Sequence, residues 1–180
     1  MIVVLMGVSG AGKTTIGALL SQRLGWPLLD ADDFHPPGNI EIMRSGIALT
    51  DEDRWPWLHA IAAWIDATRR VGNHAVVACS ALKRAYREIL VGERRDVAVV
   101  FLKGERELIA RRLAARDGHF MPPSLLDSQF AALEEPQTDE RPIVVSIAPH
   151  PRDIVETIVT KLDAAAAASL GKQSQRSSSD

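Results

Sequence analysis

The 180-residue chain has a single cysteine, Cys79. That excludes an intramolecular disulfide and suits a reducing compartment, so a cytoplasmic protein is expected. Cys79 itself reads as a small buried apolar residue rather than a reactive thiol. An excess of one charge is also missing. With 21 Lys and Arg against 23 Asp and Glu, the net charge is −2. Nothing in that balance draws the chain to nucleic acid or to an anionic membrane, and neither is expected as a partner. No apolar stretch approaches the length of a membrane span. No basic leader precedes the apolar residues Ile2 to Met6, so no targeting segment is expected. Internal repeats are absent as well.

What is present is an alternation of short apolar runs with longer helical patterns. Strands are expected at 2–6, 27–30, 75–80, 97–102 and 143–147, and helices at 14–24, 39–45, 52–71, 83–91, 106–116, 124–134 and 152–168. The strands are near-continuous apolar runs, the mark of parallel strands covered on both faces. Such alternation predicts one α/β domain, a doubly wound parallel five-stranded sheet with right-handed crossovers, over residues 1–168. Residues 169–180 hold almost no large apolar side chain and are expected to be a disordered tail.

Between the first strand and the first helix lies Gly7-Val8-Ser9-Gly10-Ala11-Gly12-Lys13-Thr14, a complete G-x-x-x-x-G-K-[ST] phosphate loop, followed by Thr15. Strand, loop and helix are the context the motif requires. Its glycines let successive N–H groups turn toward phosphate oxygens at a helix N-terminus. Lys13 is expected on the β- and γ-phosphates of ATP, and the Thr14 hydroxyl on Mg²⁺. A dinucleotide site is excluded because Thr15 stands where a third glycine is required. A GTPase is disfavoured because no N-K-x-D sequence occurs.

The second strand ends in Asp30-Ala31-Asp32-Asp33, at the strand edge where ligands gather in doubly wound sheets. In extended backbone Asp30 and Asp32 share a face. A small kinase needs one carboxylate for Mg²⁺ through water and one to orient or deprotonate an attacking hydroxyl. Asp30 is assigned the first role and Asp32 the second, with Asp33 structural. Arg54 lies just inside a helix N-terminus, with Thr50 or Asp51 as cap. A cation is poorly placed there unless it meets an anion.

Longer motifs then carry a resemblance. Asp30 to Pro36, Asn39-Ile40-Glu41 with Met43 and Gly46, Leu49 to Leu58, Cys79 to Lys83 with Tyr86 and Arg87, Gly118 to Pro122 and Ser128-Gln129-Phe130 stand in the order found in the gluconokinase family. The chain resembles that family over nearly all of residues 2–147. The resemblance implies phosphorylation of D-gluconate by ATP to 6-phospho-D-gluconate, feeding the pentose phosphate pathway. It also implies a P-loop NTPase fold similar to shikimate and nucleoside monophosphate kinases, with a helical lid at about 112–123. Arg116 is then expected to close over the transition state as a catalytic residue, and Arg112 with Arg116 to contact the nucleotide phosphates. His119 would mark the lid tip.

For the acceptor, Asp32, His35, Arg54, Ser80, Lys83 and Arg87 are the expected contacts. Arg54 would pair with the substrate carboxylate, and Lys83 and Arg87, one helical turn apart, would supply further positive charge. His59, His74 and His150 read as structural, and Trp57 and Trp64 as core or subunit contact. A homodimer is plausible from the resemblance alone. The alternatives are a kinase of another small anionic acceptor, such as shikimate or a nucleoside monophosphate, or a nucleotide-binding regulatory module without turnover.

Overall fold

The structure, a computed structural model, describes residues 1–115 and 123–176. Five parallel strands form one sheet, β1 (Ile2–Met6), β2 (Leu28–Asp30), β3 (Ala75–Ala78), β4 (Val97–Lys103) and β5 (Ile143–Ser146), in the order β2-β3-β1-β4-β5. The expected doubly wound sheet is therefore present, its strands shifted by no more than two residues at either end. The central strand β1 is buried throughout. Its side chains alternate between two cores: Val3 and Leu5 pack with helices α1 (Lys13–Leu24) and α7 (Pro151–Arg176), and Ile2, Val4 and Met6 with helix α3 (Asp51–Arg70). Burial on both faces is why these strands read as continuous apolar runs.

Helix α3 illustrates the local logic. The Thr50 hydroxyl accepts from the Asp53 N–H and the Asp53 carboxylate accepts from the Thr50 N–H, a capping box. Trp57, Leu58, Ile61, Ala62 and Ile65 then recur at helical spacing as its buried face. At its far end, Asp66 accepts two bonds of 2.7 Å from Arg94, and Arg69 reaches both Asp66 and Asp96. These bonds fix α3 to the turn that starts β4.

The Arg94 bonds hold the Asp66 carboxyl down at about 2. A depressed folded pKa stabilises the fold above the unfolded pKa near 4, and that contribution is lost as pH falls toward 2. The melting-temperature advantage of the wild type over Asp66→Asn is thus expected to shrink between about pH 4 and pH 2. An advantage that stays constant over that range contradicts the ion-pair account.

The remaining helices are α2 (Pro37–Arg44), α4 (Arg84–Leu90), α5 (Arg106–Ala114) and α6 (Pro123–Ala132). A short 3₁₀ turn, Ala31–Phe34, follows β2. Helix α7 continues to Arg176, past Ala168 where the sequence pattern ends the domain. Residues 169–176, expected as tail, thus prolong the helix, and the last buried side chain described on it is Leu162. No helix among the described residues is long and apolar enough to cross a membrane.

Candidate active site

The phosphate loop leaves β1 at the carboxyl edge of the sheet. Gly10 and Gly12 have φ of 82° and 94°, in the left-handed region that side chains resist. A Cβ on Gly10 would also meet Leu113 at 2.8 Å, so the loop is seated tightly on α5. The Gly7 N–H donates to the Ser80 carbonyl at 3.3 Å, tying the loop to the end of β3. The Lys13 ammonium is folded back onto the carbonyls of Gly7 at 2.9 Å and Val8 at 3.1 Å. It therefore already lies within the loop that would hold phosphate.

At the mouth of the loop, the Thr14 hydroxyl donates to Asp30 Oδ2 at 3.2 Å. The other Asp30 oxygen accepts the Asp32 N–H at 3.2 Å, capping the 3₁₀ turn. That cap turns the chain so that Asp32 projects into the open cleft, with 82% of its side chain exposed. Partial loss of water beside the cleft walls, and then the charge of Asp30, raise the Asp32 pKa against the opposing pull of Lys13, a modest effect for a side chain this exposed. The expectation that Asp30 and Asp32 share a face of extended backbone does not hold: β2 ends at Asp30, and the 3₁₀ turn that carries Asp32 has no separate mark in the sequence.

His35 closes the far side of this turn. Its ring is buried and stacks on Trp57, with centroids 4.3 Å apart at 12°, and Nε2 lies 3.9 Å from Asp32. Burial lowers its pKa, so the ring is neutral at pH 7. Nδ1 is buried without a partner, and a bare lone pair costs less there than an orphaned N–H, which places the proton on the Nε2 facing Asp32. The Trp57 indole donates to the Ala31 carbonyl at 2.7 Å, fixing the turn to α3. Trp57 is core, as expected, and it also positions Asp32.

Beyond His35 lies a group of cations. Arg54 donates to the Tyr86 hydroxyl at 3.3 Å, and its guanidinium sits 5.8 Å above that ring. Lys83 lies 5.7 Å from the same ring and donates to both Asp51 oxygens at 2.8 and 2.7 Å. Tyr86 also donates to Asp51. The bonds from Lys83 and Tyr86 depress the Asp51 carboxyl and keep it ionised. Arg54 and Lys83 thus flank one internal carboxylate and leave a net single positive charge facing the cleft. Tyr86 had no assigned part in the sequence, and Asp51 only that of an alternative to Thr50 as helix cap; the cap is Thr50. Their one signal was membership of motifs shared with the gluconokinase family.

Arg87 is a correction. It does not share a face with Lys83, because Lys83 is the extended cap residue preceding α4 (φ −94°, ψ 151°) and lies outside the helical periodicity. The Arg87 side chain is 3% exposed, pairs with Glu140 at 2.6 Å and donates to the Ala81 and Leu82 carbonyls. Ala81 holds a left-handed φ of 43°, a strained conformation for a residue with a Cβ. Arg87 is thus a buried clamp on the segment that carries Ser80, and has no face toward substrate. Ser80 itself stands half-buried at the end of β3, joined to the loop through its carbonyl.

Arg112 donates to the Ile147 carbonyl at 2.7 Å, beside the end of β5. Arg116, His119 and most of the expected lid lie outside the described residues. Cys79 is buried as expected, and burial pushes its thiol up to about 12.

A phosphate loop beside a carboxylate pair, on a five-stranded parallel sheet, is the construction of a small-molecule kinase. The shikimate kinase family matches residues 9–155. A shikimate kinase from Aquifex aeolicus superposes with a TM-score of 0.55 over 93% of this chain and 99% of that one, at 19% identity, a likeness of fold alone. Much nearer is the gluconokinase of Gluconobacter oxydans, 46% identical over 161 residues, 89% of this chain and 90% of that protein. The crystal structure of a gluconokinase from Sinorhizobium meliloti shares 43% identity and a TM-score of 0.85, covering 96% of each chain. The chain belongs to the gluconokinase family.

Proposed function

We propose that the protein transfers the γ-phosphoryl group of ATP to the terminal hydroxyl of D-gluconate, giving 6-phospho-D-gluconate. What supports the reading is the surroundings of Asp32: the charge of Lys13 in the phosphate loop acts on it, and His35, which the charge of Arg54 reaches, adjoins it at 3.9 Å. An acceptor with a carboxylate at one end and a hydroxyl at the other spans that arrangement.

Thr14 and Asp30 fit a divalent cation: both offer hard oxygen donors, and they already converge at 3.2 Å. Mg²⁺ keeps most of its water and needs few protein ligands. When bound, Mg²⁺ would neutralise phosphate charge at the loop mouth.

The protein's own residues do the positioning. Amides of Gly10 to Thr14 would hold the phosphates, with Lys13 swinging from the Gly7 and Val8 carbonyls to the terminal ones. Arg54 and Lys83 would fix the acceptor carboxylate, and Ser80 and the Nε2 face of His35 its hydroxyls. Asp32 then accepts the hydroxyl proton as the oxygen attacks the γ-phosphorus in line with the departing ADP. Its raised pKa suits it to hold that proton. Arg112 and Arg116 remain proposed partners for phosphate charge in the closed enzyme.

Phosphorus NMR of the reaction with ATP, Mg²⁺ and gluconate should show a phosphomonoester on the terminal carbon. A phosphate ester elsewhere on the chain would reverse the proposed orientation. Lys13→Ala is expected to lower turnover about a hundred- to a thousandfold, the usual loss for one transition-state contact. Near-normal turnover in that variant would mean that phosphoryl transfer occurs elsewhere.

A further inference from the structure

Asp51 is the carboxylate at the centre of the cation group, and helix capping does not account for it. The N-terminus of α3 is already closed by Thr50 and Asp53, each side chain accepting the other's backbone N–H. Asp53, which the charge of Arg54 also reaches, is turned back onto Thr50. Asp51 turns instead toward α4. Its Oδ1 accepts from Lys83 at 2.8 Å and from the Tyr86 hydroxyl, and its Oδ2 accepts from Lys83 at 2.7 Å. Arg54 lies 3.8 Å from Oδ1 and joins the same chain through the Tyr86 hydroxyl, to which it donates.

An internal carboxylate weakens the hold of Arg54 and Lys83 on any external anion. Its presence is explained by selection among anions. Two bare cations favour a dianion over a monoanion, because each added unit of ligand charge gains from both of them. A phosphomonoester on a chain of hydroxyls carries close to two charges at neutral pH and would outcompete a carboxylate there. With Asp51 ionised the trio carries a single positive charge, and the second charge of a phosphomonoester meets repulsion instead. We infer that Asp51 sets the charge class of the acceptor, admitting a polyhydroxy monocarboxylate and excluding chains that end in a phosphate. The inference rests on the reading that Arg54 and Lys83 hold the acceptor carboxylate, and adds the group that limits how much charge they accept.

The charge of Asp51 is secured from two directions. The bonds from Lys83 and Tyr86 hold its carboxyl below the usual range, and the first turn of a helix favours an anion in its own right. Its position is secured through Tyr86, a buried ring that meets Trp55 edge-on with centroids 5.5 Å apart. The side chains of Arg54, Asp51 and Lys83 are 26, 32 and 30% exposed. That leaves them open to a ligand, while their partial burial limits screening of the charge by salt.

A brace that merely aims Lys83 and Tyr86 is the competing role. Calorimetric binding at pH 8, with ADP and Mg²⁺ present, separates the two with a pair of probes. D-gluconate carries one charge. D-glucitol 1-phosphate keeps the same run of hydroxyls, including the terminal one, but ends in a phosphomonoester that is dianionic at this pH. Asp51→Asn retains the shape and an acceptor oxygen and removes the charge. It should raise the affinity for D-glucitol 1-phosphate relative to D-gluconate by about tenfold or more over the wild-type ratio. Asp51→Glu shifts the carboxylate but keeps its charge, and should hold the ratio near the wild-type value. Loss of a brace weakens both ligands alike. An unchanged ratio in Asp51→Asn, or D-glucitol 1-phosphate that still fails to bind that variant, therefore overturns the inference, while turnover of gluconate by the wild type leaves the proposed function standing. A wild type that neither binds nor phosphorylates gluconate overturns both.

Discussion

Asp32→Asn should lower kcat by about a hundred- to ten-thousandfold, the range for losing a positioned general base, without lowering the melting temperature. Asparagine keeps the size of the side chain and one oxygen but cannot take up the proton of the attacking hydroxyl. The KM for ATP should change little, because the loop amides and Lys13 hold the nucleotide. The stability half follows from the raised pKa of Asp32. A carboxyl whose folded pKa exceeds its unfolded value favours the fold below the unfolded pKa, and that help is lost as pH rises through the folded pKa. With 82% of its side chain in solvent, that effect of Asp32 on stability is small, and its replacement disturbs no packing. Asp30→Asn is the control. It should raise the Mg²⁺ requirement and loosen the turn that Asp30 caps. If Asp32→Asn alters only the Mg²⁺ dependence, the two roles are exchanged.

Arg87→Met should destabilise the protein by about 3–5 kcal/mol, the usual cost of removing one partner of a buried ion pair. Glu140 would be left uncompensated, with 12% of its side chain exposed. The Ala81 and Leu82 carbonyls would lose their donor. The double variant Arg87→Met/Glu140→Leu should recover much of the loss, since apolar replacement of a whole buried pair is often neutral. Urea unfolding of the three proteins, with the gluconate KM of the double variant, checks both halves. A stable Arg87→Met protein with a raised gluconate KM would return Arg87 to the acceptor site and refute the clamp.

The difference between these two residues shows what could be read without a structure. The phosphate loop is legible because its chemistry is carried by backbone, and glycine at 7, 10 and 12 is the local requirement for that backbone. The strands are legible because burial on both faces writes an apolar run. Asp30 was legible as the last residue of a strand, but strand alternation does not extend to Asp32, which a 3₁₀ turn places instead. Arg87 was misplaced because helical periodicity was extended one residue too far: Lys83 caps α4 with extended backbone and points to Asp51 instead.

Other features were hidden because they join distant segments. Glu140 is 53 residues from Arg87, and Gln129, whose amide oxygen accepts the Ser9 N–H, is 120 from Ser9. No local pattern records such a pairing. The Asp51–Tyr86–Lys83 group is of the same kind, with its carboxylate on one helix and its donors at the start of another. It leaves Arg54 and Lys83 with a net single positive charge, the charge that the proposed substrate carboxylate would meet.

That match is tested most directly by ADP release from the wild-type protein with Mg²⁺ and ATP, comparing D-gluconate, glucose, shikimate and AMP as acceptors. Glucose carries the terminal hydroxyl without the carboxylate, and shikimate the carboxylate without a terminal hydroxyl at the same reach. The account predicts a kcat/KM for D-gluconate far above that of each of the other three. Turnover of glucose equal to that of gluconate would contradict it, because Arg54 and Lys83 would then have no part in choosing the acceptor.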